Sequence, residues 1–193
     1  MAMDSTSKRV VTCDPLPGFS PGIGRYLAQL TEIRRDLLKQ VAGLTPEQLS
    51  WRPNEEVESI GTQLLHVAAI EWSWVFEEIF RRSSDDYDGW EEALPIRIGR
   101  TQVSGQPLAY FSDRLARVRT ETSDALRQLN DADLPRLVTD ASPPPEEGDD
   151  PVRYSIDWVL FHLVHHEAHH AGQVELLHRL LPESVSRGVG DQD

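Results

Sequence analysis

Apolar residues recur along this chain at steps of three and four. Between residues 22 and 44 they are Ile23, Leu27, Leu30, Ile33, Leu37, Leu38, Val41 and Leu44, with Arg25, Arg34, Arg35 and Lys39 read as the wet side. That period predicts an amphipathic helix. Pro21 and Gly43 bracket it, and the TPEQL that follows (Thr45 to Leu49) opens a short turn or a single helical turn. A second helix is expected from an N-cap at Ser59 to about Phe80. It is apolar almost all round, so it should be buried on several sides. A third runs from Gln106–Pro107 to about Leu129, with Leu108, Phe111, Leu115, Val118, Ala125 and Leu129 on one stripe. The fourth runs from Ser155 to about Leu181 and stops at Pro182. No stretch alternates convincingly with period two, and no internal repeat is visible.

Four helices of about 20 to 27 residues around one core predict an all-α four-helix bundle. The short link after the first helix makes the first two antiparallel neighbours. Residues 81–105 are long enough for a crossover along the bundle between helices two and three, which favours an up-down-down-up order. The expected organisation is an N-terminal extension over 1–20, the bundle over 21–182 and a flexible tail over 183–193. ASPPPEEGDDP (141–151) reads as a mobile, prolyl and acidic loop.

Composition narrows the function classes. The chain has 193 residues and a formal net charge of -13, which disfavours nucleic acid and anionic membranes as partners, since both need a basic face. The N-terminal segment lacks a signal-peptide core, and no later stretch could span a membrane. A single cysteine, Cys13, forms no internal disulfide, so a cytoplasmic location is expected.

The candidate chemistry lies in HLVHHEAHHAGQ (162–173), which holds five of the seven histidines. With about 100° per residue, the apolar stripe of Ile156, Val159, Leu163, Val174, Leu177 and Leu181 contains His166 and His170, one turn apart. His162, His165 and His169 fall to one side and His178 towards the other. Each nitrogen of a buried imidazole needs a partner, or costs roughly 1–3 kcal/mol. A shared divalent cation is one solution, and a pair of hydrogen-bonded core histidines is the other. The one histidine outside this helix is His66, in the buried second helix. His66, His166 and His170 would supply three nitrogens and leave a fourth position open, as catalytic zinc sites do. Zinc, nickel and iron(II) all suit such a donor set.

Two other motifs compete for the same residues. His166-Glu167-Ala168-His169-His170 satisfies the H-E-x-x-H of zinc proteases. Those enzymes take a third ligand well downstream, whereas only residues 171–193 follow, and His178 is about 12 Å further along the same helix. Glu167-x-x-His170 and Glu175-x-x-His178 fit the di-iron motif, but both lie on one helix where two are needed.

RPNEEVESIGTQLLHVAAIEWSW (52–74) resembles the segment around the first metal histidine of the DinB-like superfamily of four-helix metal-binding proteins. VLFHLVHHEAHHAGQVELLHRLLP (159–182) resembles that family's last helix, with its H-x-x-x-H-x-x-Q core. The resemblance covers about residues 22–182. It implies metal ligation by His66, His166 and His170, with Gln173 one turn further on, an up-down-down-up bundle and a homodimer. Some relatives transfer or isomerise substrates with a low-molecular-weight thiol, so a small-molecule substrate and a thiol S-transferase-like or hydrolase-like reaction are the implied chemistry. In such an enzyme Glu71 and Glu167 are candidates for proton transfer or for orienting a ligand, and Gln173 for contacting a bound group. The alternative is a non-catalytic, stress-related bundle that the ion braces. Trp72, Trp74 and Phe76 are read as core or dimer contacts.

Overall fold

The computed structural model describes residues 12–83, 102–139 and 151–186. Its four long helical elements are α1 (Pro21–Val41), α3 (Ile60–Trp72) continuing into a π-helical segment (Ser73–Ile79), α4 (Leu108–Leu126) and α5 (Ile156–Leu180). A short α2 (Pro46–Ser50) precedes α3, and a single turn, α6 (Glu183–Ser186), follows α5. Among the described residues the fold is all-α apart from one small hairpin.

The boundaries follow from local chemistry. Ser59 accepts a hydrogen bond from the Thr62 N–H at 3.2 Å and Ser155 one from the Trp158 N–H at 3.1 Å, so each caps its helix. Thr45 and Gln48 form a capping box over α2. Ser20 does not cap α1 with its own side chain. The cap arrives from a distant part of the chain, because Asp131 accepts from the Gly22 N–H at 2.9 Å, the Ile23 N–H at 3.2 Å and the Ser20 hydroxyl at 2.6 Å. These donors, the Ser20 hydroxyl first, hold the Asp131 carboxyl below the usual carboxylate range. A carboxylate at the positive end of α1 also suits the helix dipole. A Cβ on Gly22 would sit 2.9 Å from the Asp131 carboxylate, so the cap requires a glycine there.

Two apolar clusters give the helix directions. One gathers Ile23 and Leu27 from the start of α1 and Ile156, Val159 and Leu160 from the start of α5. Ile79 and Leu126, from the ends of the π segment and α4, join the same cluster. The larger cluster takes Val41 and Leu177 from the ends of α1 and α5 with Ile60 and Phe111 from the starts of α3 and α4. The first and last helices thus run one way and the middle two the other. α1 packs chiefly on α5, and α3 on α4 and α5. The expected side-by-side pairing of the first two helices is not found, because α1 lies chiefly against α5 and α3 against α4 and α5.

Three further expectations change. β1 (Leu137–Thr139) pairs antiparallel with β2 (Arg153–Ser155), Val138 opposite Tyr154. Strands of three residues are too short to display an alternating pattern. The tail is ordered through α6, where Gln48 Nε2 donates to the Val185 carbonyl at 3.3 Å. Arg34, assigned to the wet side of α1, is buried at 6% exposure. The expected crossover and prolyl loop fall mainly on residues 84–101 and 140–150, outside the described residues. No helix among the described residues is long and apolar enough to cross a membrane.

Gly61 supplies a test of the packing. A Cβ there would lie 2.7 Å from Phe111 Cζ and 3.2 Å from the Leu49 carbonyl. Gly61→Ala should therefore cost about 1–3 kcal/mol in chemical denaturation through overpacking. An unchanged denaturation midpoint would contradict this α3–α4 contact.

Candidate metal centre

Three imidazoles meet between α3 and α5. His66 points from α3 towards His166 and His170, with ring centroids 5.0 and 4.8 Å away, and the latter two are 4.5 Å apart. One ligand atom from each ring lies within 4.8 Å of the others. His66 Nε2 and His166 Nε2 are 3.1 Å apart, against roughly 3.3 Å for two nitrogens bound tetrahedrally to one zinc. All three residues are half-buried. The donor set therefore fits a divalent ion without rearrangement of the helices.

The electrostatics favour neutral rings, the form that coordinates metals. Burial first, then the neighbouring imidazoles, pushes His166 down to about 2. The same two causes, led by burial, bring His170 down to about 4, against a side-chain hydrogen bond to Gln173 that raises it. Gln63, buried on α3, places its Oε1 3.3 Å from His170 Nδ1. With Nδ1–H donating to that oxygen, Nε2 carries the lone pair, as in many metal-bound histidines. His162 stands one turn before His166 and stacks on Trp158 at 4.9 Å. Trp74 from the π segment packs 5.0 Å from His162, and Tyr154 stacks on Trp158 at 4.3 Å. Trp72 and Phe76 lie in the core, whereas Trp74 flanks the site.

Next to the imidazoles lies a charged layer that the sequence reading did not assemble. Arg34 of α1 bonds Glu71 of α3 at 2.9 Å and also Glu167 of α5. Arg119 of α4 reaches Glu71 at 2.8 Å and Glu167 at 2.8 Å. Each helix thus contributes one member to a closed ring of alternating charge, with Glu71 and Glu167 only 3% and 2% exposed. Arg34 also donates to the Leu115 carbonyl at 2.7 Å. Burial alone would raise the Glu71 carboxyl, but Arg119 and Arg34 outweigh it and hold it at about 2. The ring brings both glutamates together as paired carboxylates and keeps them off the three-nitrogen cluster. Gln173, the remaining predicted residue, donates from Nε2 to His169 Nε2 at 3.0 Å and so sits at the rim beside the triad.

Arg34 and Arg119 are what sequence reasoning missed. A signal existed for Arg34, since Ile23, Leu27, Leu30, Arg34, Leu37 and Val41 continue the three-and-four rhythm through the arginine.

The comparisons with known proteins bear on the family and the fold. The model of the DinB superfamily matches residues 29–174. The chain belongs to the DinB superfamily. Among solved structures, a conserved protein from Enterococcus faecalis is similar in fold, with 17% identity and a TM-score of 0.55 over 80% of this chain and 94% of that one. No curated protein matches the chain at a significant level. Membership of the superfamily and the three clustered histidines together indicate a metal-binding bundle.

Two outcomes follow. Arg119→Met leaves two buried carboxylates facing one guanidinium and should cost about 3–5 kcal/mol, measured by urea denaturation. A loss within error of zero would show that the ring is not formed. Unfolded histidine titrates near 6.5, whereas folded His166 and His170 stay neutral to about 2 and about 4. Below pH 6.5 the unfolded chain takes up protons that the native state refuses. The stability of the metal-free protein is thus full above that pH and falls as pH drops through the window towards 4. The urea midpoint should be lower at pH 5 than at pH 7, and His166→Gln should shrink the difference.

Proposed function

We propose that this DinB-superfamily chain holds one zinc, nickel or iron(II) ion on His66, His166 and His170 and is a metal-dependent enzyme acting on a small molecule. The reaction class this favours is thiol S-transferase-like, with low-molecular-weight thiol as co-substrate, or hydrolase-like. The convergence of three imidazoles from two helices on one point, with His166 and His170 held neutral by burial, carries the reading. When bound there, such an ion supplies Lewis acidity and lowers the pKa of a water or thiol at its open position.

The protein's own residues do the rest. Gln63 fixes the His170 ring. Gln173, at the rim, has an amide available to orient a bound group. The aromatic wall of Trp74, Trp158 and His162 limits access from one side. Glu71 and Glu167 act as positioning residues in this reading, because two arginines already occupy their oxygens. Exposed Cys13, the only cysteine, is compatible with a cytoplasmic setting.

In the alternative reading the ion is a structural brace. The charged ring argues for the enzyme here, since it already ties the four helices together beside the triad. Elemental analysis of the purified protein should find about one divalent ion per chain, and His66→Ala should lose it while keeping the far-UV helical spectrum. Thiol-transfer and hydrolysis assays, with and without chelator, should then show turnover in the wild type alone. Unfolding of His66→Ala would favour the brace, and full metal retention would refute the triad.

A further inference from the structure

Four histidines of α5 lie outside the triad's coordination point, and three of them, His165, His169 and His178, face solvent. His165 and His169 are one helical turn apart, both exposed, with their rings roughly parallel at 26° and centroids 6.4 Å apart. Residues four apart on a helix share one face. Imidazoles spaced this way can grip one borderline cation after small rotamer changes, and nitrogen donors of this kind select zinc, nickel and copper over calcium or magnesium. Phe161 stacks on His165 at 6.3 Å, and a Cβ on Gly172 would meet nothing within 4 Å, so the face beside the pair is open.

From this pair the rings continue inward. His169 is 5.6 Å from His170, which is 4.5 Å from His166 and 4.8 Å from His66. The file passes from exposed rings to half-buried ones without a gap longer than that between His165 and His169. Gln173 stands at the junction, donating to His169 Nε2 at 3.0 Å and also hydrogen-bonded to His170. Its amide keeps the His169 Nε2 lone pair directed at the junction, and a rotation about the glutamine side chain releases it. The net charge of -13 raises the local concentration of cations around the chain.

We propose that His165 and His169 form a second, solvent-exposed site for a borderline divalent cation, and that this site loads the buried triad by ligand exchange along the file through His169 and His170. The inference rests on the reading of His66, His166 and His170 as a metal site. At the junction a metal–nitrogen bond to His169 is replaced by one to His170, with no change in oxidation state. Two imidazoles bind more weakly than three, so the outer ion is transient and the inner one resident.

The test uses the full chain stripped of metal, with Zn2+ as the probe. In equilibrium titration the wild type should take up a tight ion and a second at least about tenfold weaker, a difference of about 1.4 kcal/mol. His165→Gln/His169→Gln keeps good helix formers on an exposed face and should lose the weaker ion while holding the tight one within about twofold. Its loading rate from a chromogenic zinc chelate, followed by stopped flow, should drop by about tenfold. His66→Ala should show the reverse pattern, keeping the weak ion and losing the tight one.

A weaker ion that persists in the double variant overturns the outer site, and an unchanged loading rate overturns the relay. So does half a weak ion per chain with a doubled solution mass, which would mean an ion shared between two copies. Tight binding that survives in His66→Ala sinks the triad reading itself, a result the double variant cannot produce.

Discussion

A neutral ring of two arginines and two glutamates, one from each long helix, is the constraint on which the interior depends. Four charges in the middle of an apolar core are tolerable only if each is paired at short range and its remaining hydrogen-bonding capacity is met. The ring satisfies this almost wholly by itself, since Arg34 and Arg119 each touch both Glu71 and Glu167. Apolar side chains of similar volume could fill the same space, but they would not select one rotation of each helix about its axis. The ring does, because a displaced helix leaves an unpaired charge behind. Helix phase in this bundle is thus set by electrostatics, and affinity between helices by the surrounding leucines, valines and isoleucines.

That phase is what aims the histidines. His66 precedes Glu71 by five residues on α3, and Glu167 stands between His166 and His170 on α5. Fixing the two carboxylates therefore fixes the directions in which the three imidazoles leave their helices. The two polar layers have opposite electrostatic characters. One pairs carboxylates with guanidinia, whereas in the other burial holds His166 and His170 neutral, the form that coordinates a metal. Burial has no single effect on titration here; it lowers histidines that lack a counter-charge and is overridden at Glu71 by two guanidinia.

The long helices were legible in the chain because each carries an apolar rhythm over many turns and an identifiable start, such as Ser59 or Ser155. The three candidate metal histidines were legible because two of them interrupt an apolar stripe and the third lies in a helix with no wet face. The charged ring was not, for a physical reason. Sequence patterning places arginine in water by default, and Arg34 has charged neighbours at Arg35 and Asp36 that really are exposed. The partners that make its burial possible come from helices far along the chain. The capping of α1 by Asp131 was hidden for the same reason, as was the hairpin, whose strands are shorter than any detectable period. What escapes a single sequence here is polar pairing at long range.

The π-helical segment after α3 sets a rule for how this protein can vary. Between Ser73 and Ile79 each turn accommodates one more residue than an α-helix would. Such a segment absorbs one residue beyond the α-helical count while the helix on either side keeps its phase. Removing one of the seven residues would let the backbone relax to the ordinary geometry with Ile79 still directed at the apolar cluster at that end, whereas a deletion inside α3 would turn everything beyond it by about 100°. Among descendants of this chain, loss of a single residue should be tolerated better within those seven positions than within α3.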